Sequence, residues 1–181
     1  MRLNEIYKKE ITKKLKEKFG YKNVMQIPKL EKVVLNVGFG RHTKEKAYID
    51  AIVRGLTAIS GQKPVLTKAK KSISAFKIRQ GMILGAAVKL RGQRMYDFVD
   101  KLVNVTYPRV RDFRGISETH VDNVGNMTVG FKEHSPFPEI NVEDVENVFG
   151  LEVCLATTAK THEEGLELFR LLGFPFKKEE N

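Results

Sequence analysis

Residues 32–38 read KVVLNVG. The run is too short and too β-branched for a helix, and it closes in a Gly-Phe-Gly turn signal, so it predicts a strand. Alternation along a strand puts Val33, Leu35 and Val37 on one face and Val34 and Asn36 on the other. The aliphatic face can pack on helices while the Asn36 face stays open. A sheet covered on one side and bare on the other is therefore expected.

Outward from this strand, helical and extended signals interleave. Upstream, Leu3, Tyr7, Ile11, Leu15 and Phe19 recur every fourth residue and predict a helix closed by Gly20, its other side mostly lysine. Downstream, a second helix is expected from about Lys44 to Ser60, with Tyr48, Ile52, Leu56 and Ile59 inward and Gly61 ending it. PVLTKA (64–69) and GAAVKLRG (85–92) read as strands, and RMYDFVDKLVNV (94–105) as a third helix stopped by Pro108. NMTVGF (126–131) and LEVCLATTA (151–159) read as further strands. A last helix opens at Thr161, where THEE supplies a hydroxyl cap, and runs to Leu172 before Gly173. No repeat or linker interrupts the series. The expected architecture is α+β: a single domain over residues 1–181, its mixed or antiparallel sheet packed by helices on one face and open on the other.

Charge is placed as unevenly as hydrophobicity. From Ala51 through Tyr96 there is no carboxylate, while Arg54, Lys63, Lys68, Lys70, Lys71, Lys77, Arg79, Lys89, Arg91 and Arg94 supply ten cations. Removing those ten from the 32 Lys and Arg leaves 22, equal to the 22 Asp and Glu, so the segment accounts for the whole net charge of +10. A face needing only solubility would mix in acids. Residues 1–32 are also basic, and residues 133–181 carry eleven acids against four basic residues. The basic N-terminal half is expected to face RNA and the acidic C-terminal part a second, basic protein.

Catalytic patterns fail on physical grounds. GLTAISGQK (55–63) puts Gln62 where a phosphate loop needs lysine, and NVGFGRHT puts Thr43 where a dinucleotide turn needs its third glycine. His42, His120, His134 and His162 are too scattered for zinc spacing, and most read as ordinary surface histidines. Cys154, the single cysteine, falls inside a hydrophobic strand, where a thiol is inert core. Neither cofactor nor metal is expected. No run approaches the roughly 18 apolar residues of a membrane span, and the charged N-terminus lacks the apolar centre of a signal peptide.

An RNA partner fits better. If about six cations reached phosphates, log affinity would fall with log salt at a slope near −5, at about 0.9 per contact. Asn36, Gln62, Thr67, Ser72 and Ser74 supply the amides and hydroxyls that add selectivity. An amide-set sheet face edged by lysine can dock on a shallow RNA minor groove. Phe76 is the one aromatic between Ala51 and Met95, which favours helical RNA over splayed single strands. A free-standing structured-RNA-binding chaperone and an RNA-modifying enzyme are the rival readings.

LEKVVLNVGFG, ISGQKPVLTKAKKSISAFKIRQGM, VKLRGQRMYDFVDKL, PRVRDFRGIS, GNMTVGFKEH, FPEI, TTAKTHEEG and LLGFPF, in that order, closely resemble the bacterial form of the universal 5S-rRNA-binding family of large-subunit ribosomal proteins. The resemblance covers nearly the whole chain and implies a non-enzymatic, cytoplasmic component of the ribosome. It implies attachment of 5S rRNA to large-subunit rRNA in the central protuberance, contact with P-site tRNA, and an intersubunit bridge to small-subunit protein thirteen. It implies no membrane partner and no small-molecule substrate. By residue, it assigns Lys32, Asn36, Gln62, Lys63, Thr67, Lys70 and Lys89 to 5S rRNA. It assigns Phe76, Lys77, Arg79, Gln80, Gly81, Met82 and Ile83 to a tRNA-reaching loop, and Arg109, Arg111, Arg114, Glu143, Asp144 and Glu146 to the bridge. Two departures stand out: Lys89 replaces a usual threonine, and Ile83 replaces a usual proline, which should loosen the loop.

Overall fold

The computed structural model describes residues 2–40, 42–43, 45–140 and 148–177. The chain opens with a helix built in three pieces: α1 (Leu3–Ile6), a π-helical turn (Tyr7–Ile11) and α2 (Thr12–Phe19). The middle piece has a cause in the sequence. Apolar residues recur every fourth position, and in a straight α-helix each such step overshoots one turn by about 40°. The stripe would wind off the core. The wider turn cancels that drift, leaving Leu3, Ile11 and Leu15 at 7%, 2% and 0% exposure. Gly20 ends the helix at φ +66°, a left-handed cap.

β1 (Leu30–Gly38), α3 (Lys46–Ser60), β2 (Val65–Lys68) and β3 (Ile83–Leu90) follow, then α4 (Gly92–Lys101), a second π-helical turn (Leu102–Thr106) and α5 (Tyr107–Arg109). β4 (Met127–Phe131), β5 (Leu151–Thr157) and α6 (His162–Leu171) complete the chain. The five strands make one open antiparallel sheet in the order β2-β3-β1-β5-β4. The fold class is α+β, as expected.

Two boundaries differ from the sequence reading. Gly92 opens α4 at φ +60° instead of ending a strand, because the chain turns directly from β3 into the helix. Pro108 does not stop the third helix; it lies within α5. Thr106 and Tyr107 keep right-handed helical dihedrals, so the helix runs on through the π-helical turn and ends at Arg109, one residue past the proline.

Residue contacts group the chain into two compact units: Met1–Val33, Leu90–Val129 and Cys154–Asn181, and Val34–Lys89 with Gly130–Val153. The division cuts across four strands of the one sheet, so neither unit is a continuous segment. In the first unit Tyr107 stacks on Phe113 at 5.1 Å between centroids and meets Phe174 edge-on at 6.1 Å. The α6 cap forms as THEE suggests: the Glu164 N–H donates to Thr161 Oγ1 at 3.3 Å. Glu164 then accepts from the Lys160 N–H at 2.8 Å and from the Tyr21 hydroxyl at 2.6 Å.

In the second unit Ile52, Leu56 and Ile59 of α3 are buried together with Leu35, Val37, Ala86 and Val88 of the sheet. His134 is the buried exception among histidines expected mostly at the surface. It is 3% exposed, its ring stacked on Phe149 at 4.0 Å, and Nδ1 accepts from the Phe149 N–H at 3.2 Å. Phe149 in turn fills the space over Gly55, where an added Cβ would meet its ring at 2.8 Å.

Candidate nucleic-acid interface

The open face is built from β1, β2 and β3. On β1, Val33, Leu35 and Val37 are at most 1% exposed, whereas Lys32, Val34 and Asn36 are half-buried on the opposite face. β2 pairs antiparallel with β3, Val65 opposite Ala87 and Thr67 opposite Gly85. Both pairs share one face. Val65 is 69% exposed and Thr67 is exposed, so no helix covers this side of β2. Lys89 lies two residues beyond Ala87 on the same face and is exposed.

Gly85 keeps the surface low. An added Cβ there would sit 2.8 Å from the Val37 carbonyl and 2.9 Å from Thr67 Oγ1. Next to it the register shifts: Thr67 pairs with Gly85 but Lys68 with Ile83, which leaves Leu84 as the extra residue of a bulge. The Leu84 carbonyl accepts from the Phe39 N–H at 2.9 Å, tying the bulge to the end of β1.

Gln62 follows the α3 cap at Gly61 and is half-buried. The Ser60 hydroxyl accepts from the Gln62 N–H at 3.2 Å and directs its one proton between the Leu56 carbonyl at 2.6 Å and the Gln62 carbonyl at 2.9 Å. Those contacts engage the main chain of Gln62. Lys63 and Lys70 are exposed on either side of β2.

All ten cations of the acid-free segment are exposed. Arg91 reaches Glu31 at 3.6 Å; the other nine make no ion pair among the described residues. Uncompensated charge of this kind is available to a polyanion.

The loop between β2 and β3 is fastened at two levels. At its base the Ala69 N–H donates to the Met82 carbonyl at 2.8 Å and the Gly81 N–H to the Ala69 carbonyl at 3.0 Å. Further out, Ile73 and Ile78 exchange two backbone bonds at 2.9 and 3.1 Å, and the Gln80 N–H donates to the Ser72 hydroxyl at 2.9 Å. Ile83, at the position of the usual proline, starts β3 in register with Lys68. Phe76 is 73% exposed at the tip, and Lys77 beside it takes a left-handed φ of +55°. Lys77, Arg79, Gln80 and Gly81 are exposed, Met82 and Ile83 half-buried.

The loop also walls an open cleft of about 1220 Å³ with Phe39, His42 and Tyr48 on its far side. The His42 and Tyr48 rings lie 4.6 Å apart. Sequence reasoning missed this grouping, since only the fold brings Phe39, His42 and Tyr48 beside Phe76 and Met82. Cys154 departs from the inert core expected of it: it is half-buried, on the β5 face opposite Val153 and Leu155.

Arg109, Arg111 and Arg114 are exposed on α5 and the turn after it, where Asp112 has φ +53°. Glu143, Asp144 and Glu146 lie outside the described residues. Among the described residues no group of three or more His, Cys, Asp or Glu could hold a metal ion, and no helix is long and apolar enough to cross a membrane.

An open sheet face and loop dense in exposed, unpaired cations define an RNA-binding class of protein. The family model for ribosomal protein L5 matches residues 23–79, and the model for the C-terminus of the same ribosomal family matches residues 83–176. Large ribosomal subunit protein uL5 of Desulforamulus reducens is 54% identical over 177 residues, 98% of each chain. The protein of the same name from Halothermothrix orenii is 52% identical over 176 residues, 97% of this chain and 98% of its own. That from Desulforapulum autotrophicum is 54% identical over 175 residues, again 97% and 98%. The chain belongs to the ribosomal protein L5 family, a family of ribosomal structural components and not of enzymes.

Proposed function

We propose that this chain is a structural constituent of the large ribosomal subunit in the bacterial cytoplasm, and that its open sheet face holds a helix of 5S rRNA. One observation supports the reading: Asn36, Gln62 and Thr67 remain accessible while seven exposed cations of β2, its flanks, the following loop and β3 lack an ion-pair partner among the described residues. Lys32, Lys63, Lys70 and Lys89 supply phosphate contacts that position the RNA, and the amides and hydroxyl read its groove. Lys89 makes a phosphate contact where relatives of the usual pattern would use a hydroxyl.

The fastened loop, with Phe76 and Lys77 at its tip and Arg79 to Ile83 returning to β3, reaches P-site tRNA. Its two layers of backbone bonds make it a stiff probe, which lowers the ordering cost of contact. Arg109, Arg111 and Arg114, with the acidic residues 143, 144 and 146, serve the bridge to small-subunit protein thirteen. The molecule acts as one domain, joining 5S rRNA to large-subunit rRNA in the central protuberance.

Sedimentation tests the assignment. The protein is expected near one copy per large subunit after a high-salt wash; recovery only in free fractions would favour a dissociable chaperone and overturn the ribosomal role.

A further inference from the structure

The Gly-Phe-Gly turn after β1 fails as a dinucleotide fingerprint, yet the fold itself gives no reason for either glycine. Neither Gly38 nor Gly40 takes a left-handed φ, and a Cβ added at either would meet no atom within 4 Å beyond the adjacent residues. Both line the cleft beside the β2–β3 loop. Glycine suits a place where a ligand comes close to the backbone, and here it leaves that part of the cleft bare. The turn is held in place around them. The Phe39 N–H donates to the Leu84 carbonyl and the His42 N–H to the Phe39 carbonyl, each at 2.9 Å, and the Glu45 N–H to the His42 carbonyl at 3.1 Å.

The two walls of the cleft differ in chemistry. On the loop side Lys77 and Arg79 are exposed and make no ion pair among the described residues. On the far side the His42 ring lies 4.6 Å from that of Tyr48, whose hydroxyl donates to the Val148 carbonyl at 3.4 Å. His42 Nδ1 stands 3.1 Å from Glu45 Oε1. A carboxylate only accepts, so Nδ1–H donates, and Glu45 Oε2 has no further partner among the described residues. Cations on one wall, with rings and an open carboxylate oxygen on the other, match a nucleotide whose base edge donates. Guanine donates from N1–H and its 2-amino group, whereas adenine presents an acceptor at N1. An RNA chain carries phosphates on both sides of each base, and Glu45 would oppose one of them; a mononucleotide carries them at one end.

We propose that the cleft binds a free guanosine nucleotide, its base against His42 and Tyr48 with the N–H edge toward Glu45, and its phosphates toward Lys77 and Arg79 across the bare backbone of Gly38 and Gly40. The inference goes beyond the RNA-binding reading, in which Gly38, Gly40, His42 and Glu45 have no part.

The test titrates the full-length protein with GTP, ATP and guanosine by calorimetry. GTP should bind about tenfold more tightly than ATP, whose N1 acceptor would face the Glu45 carboxylate. It should also bind about tenfold more tightly than guanosine, which brings no phosphate to Lys77 and Arg79. Glu45→Ala should abolish the preference for guanine, and His42→Ala should weaken GTP by about tenfold through lost stacking. Lys77→Gln combined with Arg79→Gln should reduce GTP to the affinity of guanosine. Gly40→Val should block binding at an unchanged urea midpoint, since no protein atom stands in the way of its Cβ; Gly38→Ala repeats the test with a smaller group. Absence of GTP binding in the millimolar range overturns the proposal. So does an affinity for ATP equal to that for GTP, or parental GTP affinity in both glycine variants. Capture of a short oligonucleotide with an unpaired guanosine, without capture of GTP, overturns it in favour of an RNA chain. None of these outcomes bears on the sheet face, which 5S rRNA affinity tests separately.

Discussion

Gly85 has no side chain because there is no room for one. A methyl group there would meet the Val37 carbonyl at 2.8 Å, and a backbone carbonyl in a paired strand cannot turn aside as Thr67 Oγ1 can. Gly85→Ala should push β1 and β3 apart and destabilise the protein by about 1–3 kcal/mol, read as a lower urea midpoint. An unchanged midpoint would mean the sheet has slack that the geometry does not show. Phe76 is the opposite case. At 73% exposure it contributes little to the fold, so Phe76→Ala should leave stability within about 0.5 kcal/mol while weakening tRNA binding. Equal tRNA affinity in the variant would remove the loop tip from that contact.

Among elements, the two π-helical turns show where sequence reading stops. The fourfold spacing of Leu3, Tyr7, Ile11 and Leu15 announces a helix and its inner face, but not the local widening that keeps the face straight. Pro108 misleads as well, since the helix continues through it to Arg109. The β1 alternation was legible because period two follows directly from strand geometry. His134 was not, because its burial comes from Phe149, fifteen residues away. For the site, exposure of the cations and the face on which half-buried Asn36 lies followed from pattern, whereas the cleft that Phe39, His42 and Tyr48 share with the loop needed the fold. The docking of α6 was equally hidden. A Cβ at Gly165 would lie 2.3 Å from the Gly125 Cα, and Gly125 itself sits at φ +80°. Gly165→Ala should therefore cost about 1–3 kcal/mol by forcing the 122–126 turn off the helix. Denaturant unfolding checks it, and parent-like stability would show that the turn can move freely.

At the scale of the whole molecule, stability and binding respond to different charges. Desolvation alone would raise the Asp122 carboxyl, but hydrogen bonds from Asn126, Val124 and Gly125 outweigh it and hold the group below its ordinary value. Glu164 follows the same pattern: desolvation raises it, and the Tyr21 hydroxyl with the Lys160 and Thr161 N–H groups lowers it further. Both values are depressed in the folded state. Their contribution is therefore present above the ordinary carboxylate range and is lost as pH falls through the folded values. Tyr21→Phe should lower the urea midpoint at about pH 7 and matter much less at about pH 3. An equal deficit at both would assign Tyr21 to packing alone.

The cations proposed to face RNA, Lys32, Lys63, Lys70 and Lys89, make no ion pair among the described residues, so their effect should appear in salt dependence and not in unfolding. The most direct measurement is 5S rRNA affinity against salt concentration for the parent, Asn36→Ala, Gln62→Ala and Lys70→Ala proteins. The amide variants should each weaken binding by about 1–3 kcal/mol at an unchanged slope, and Lys70→Ala should reduce the slope by about one. Four indistinguishable titrations would contradict the claim that this bare sheet face grips folded RNA.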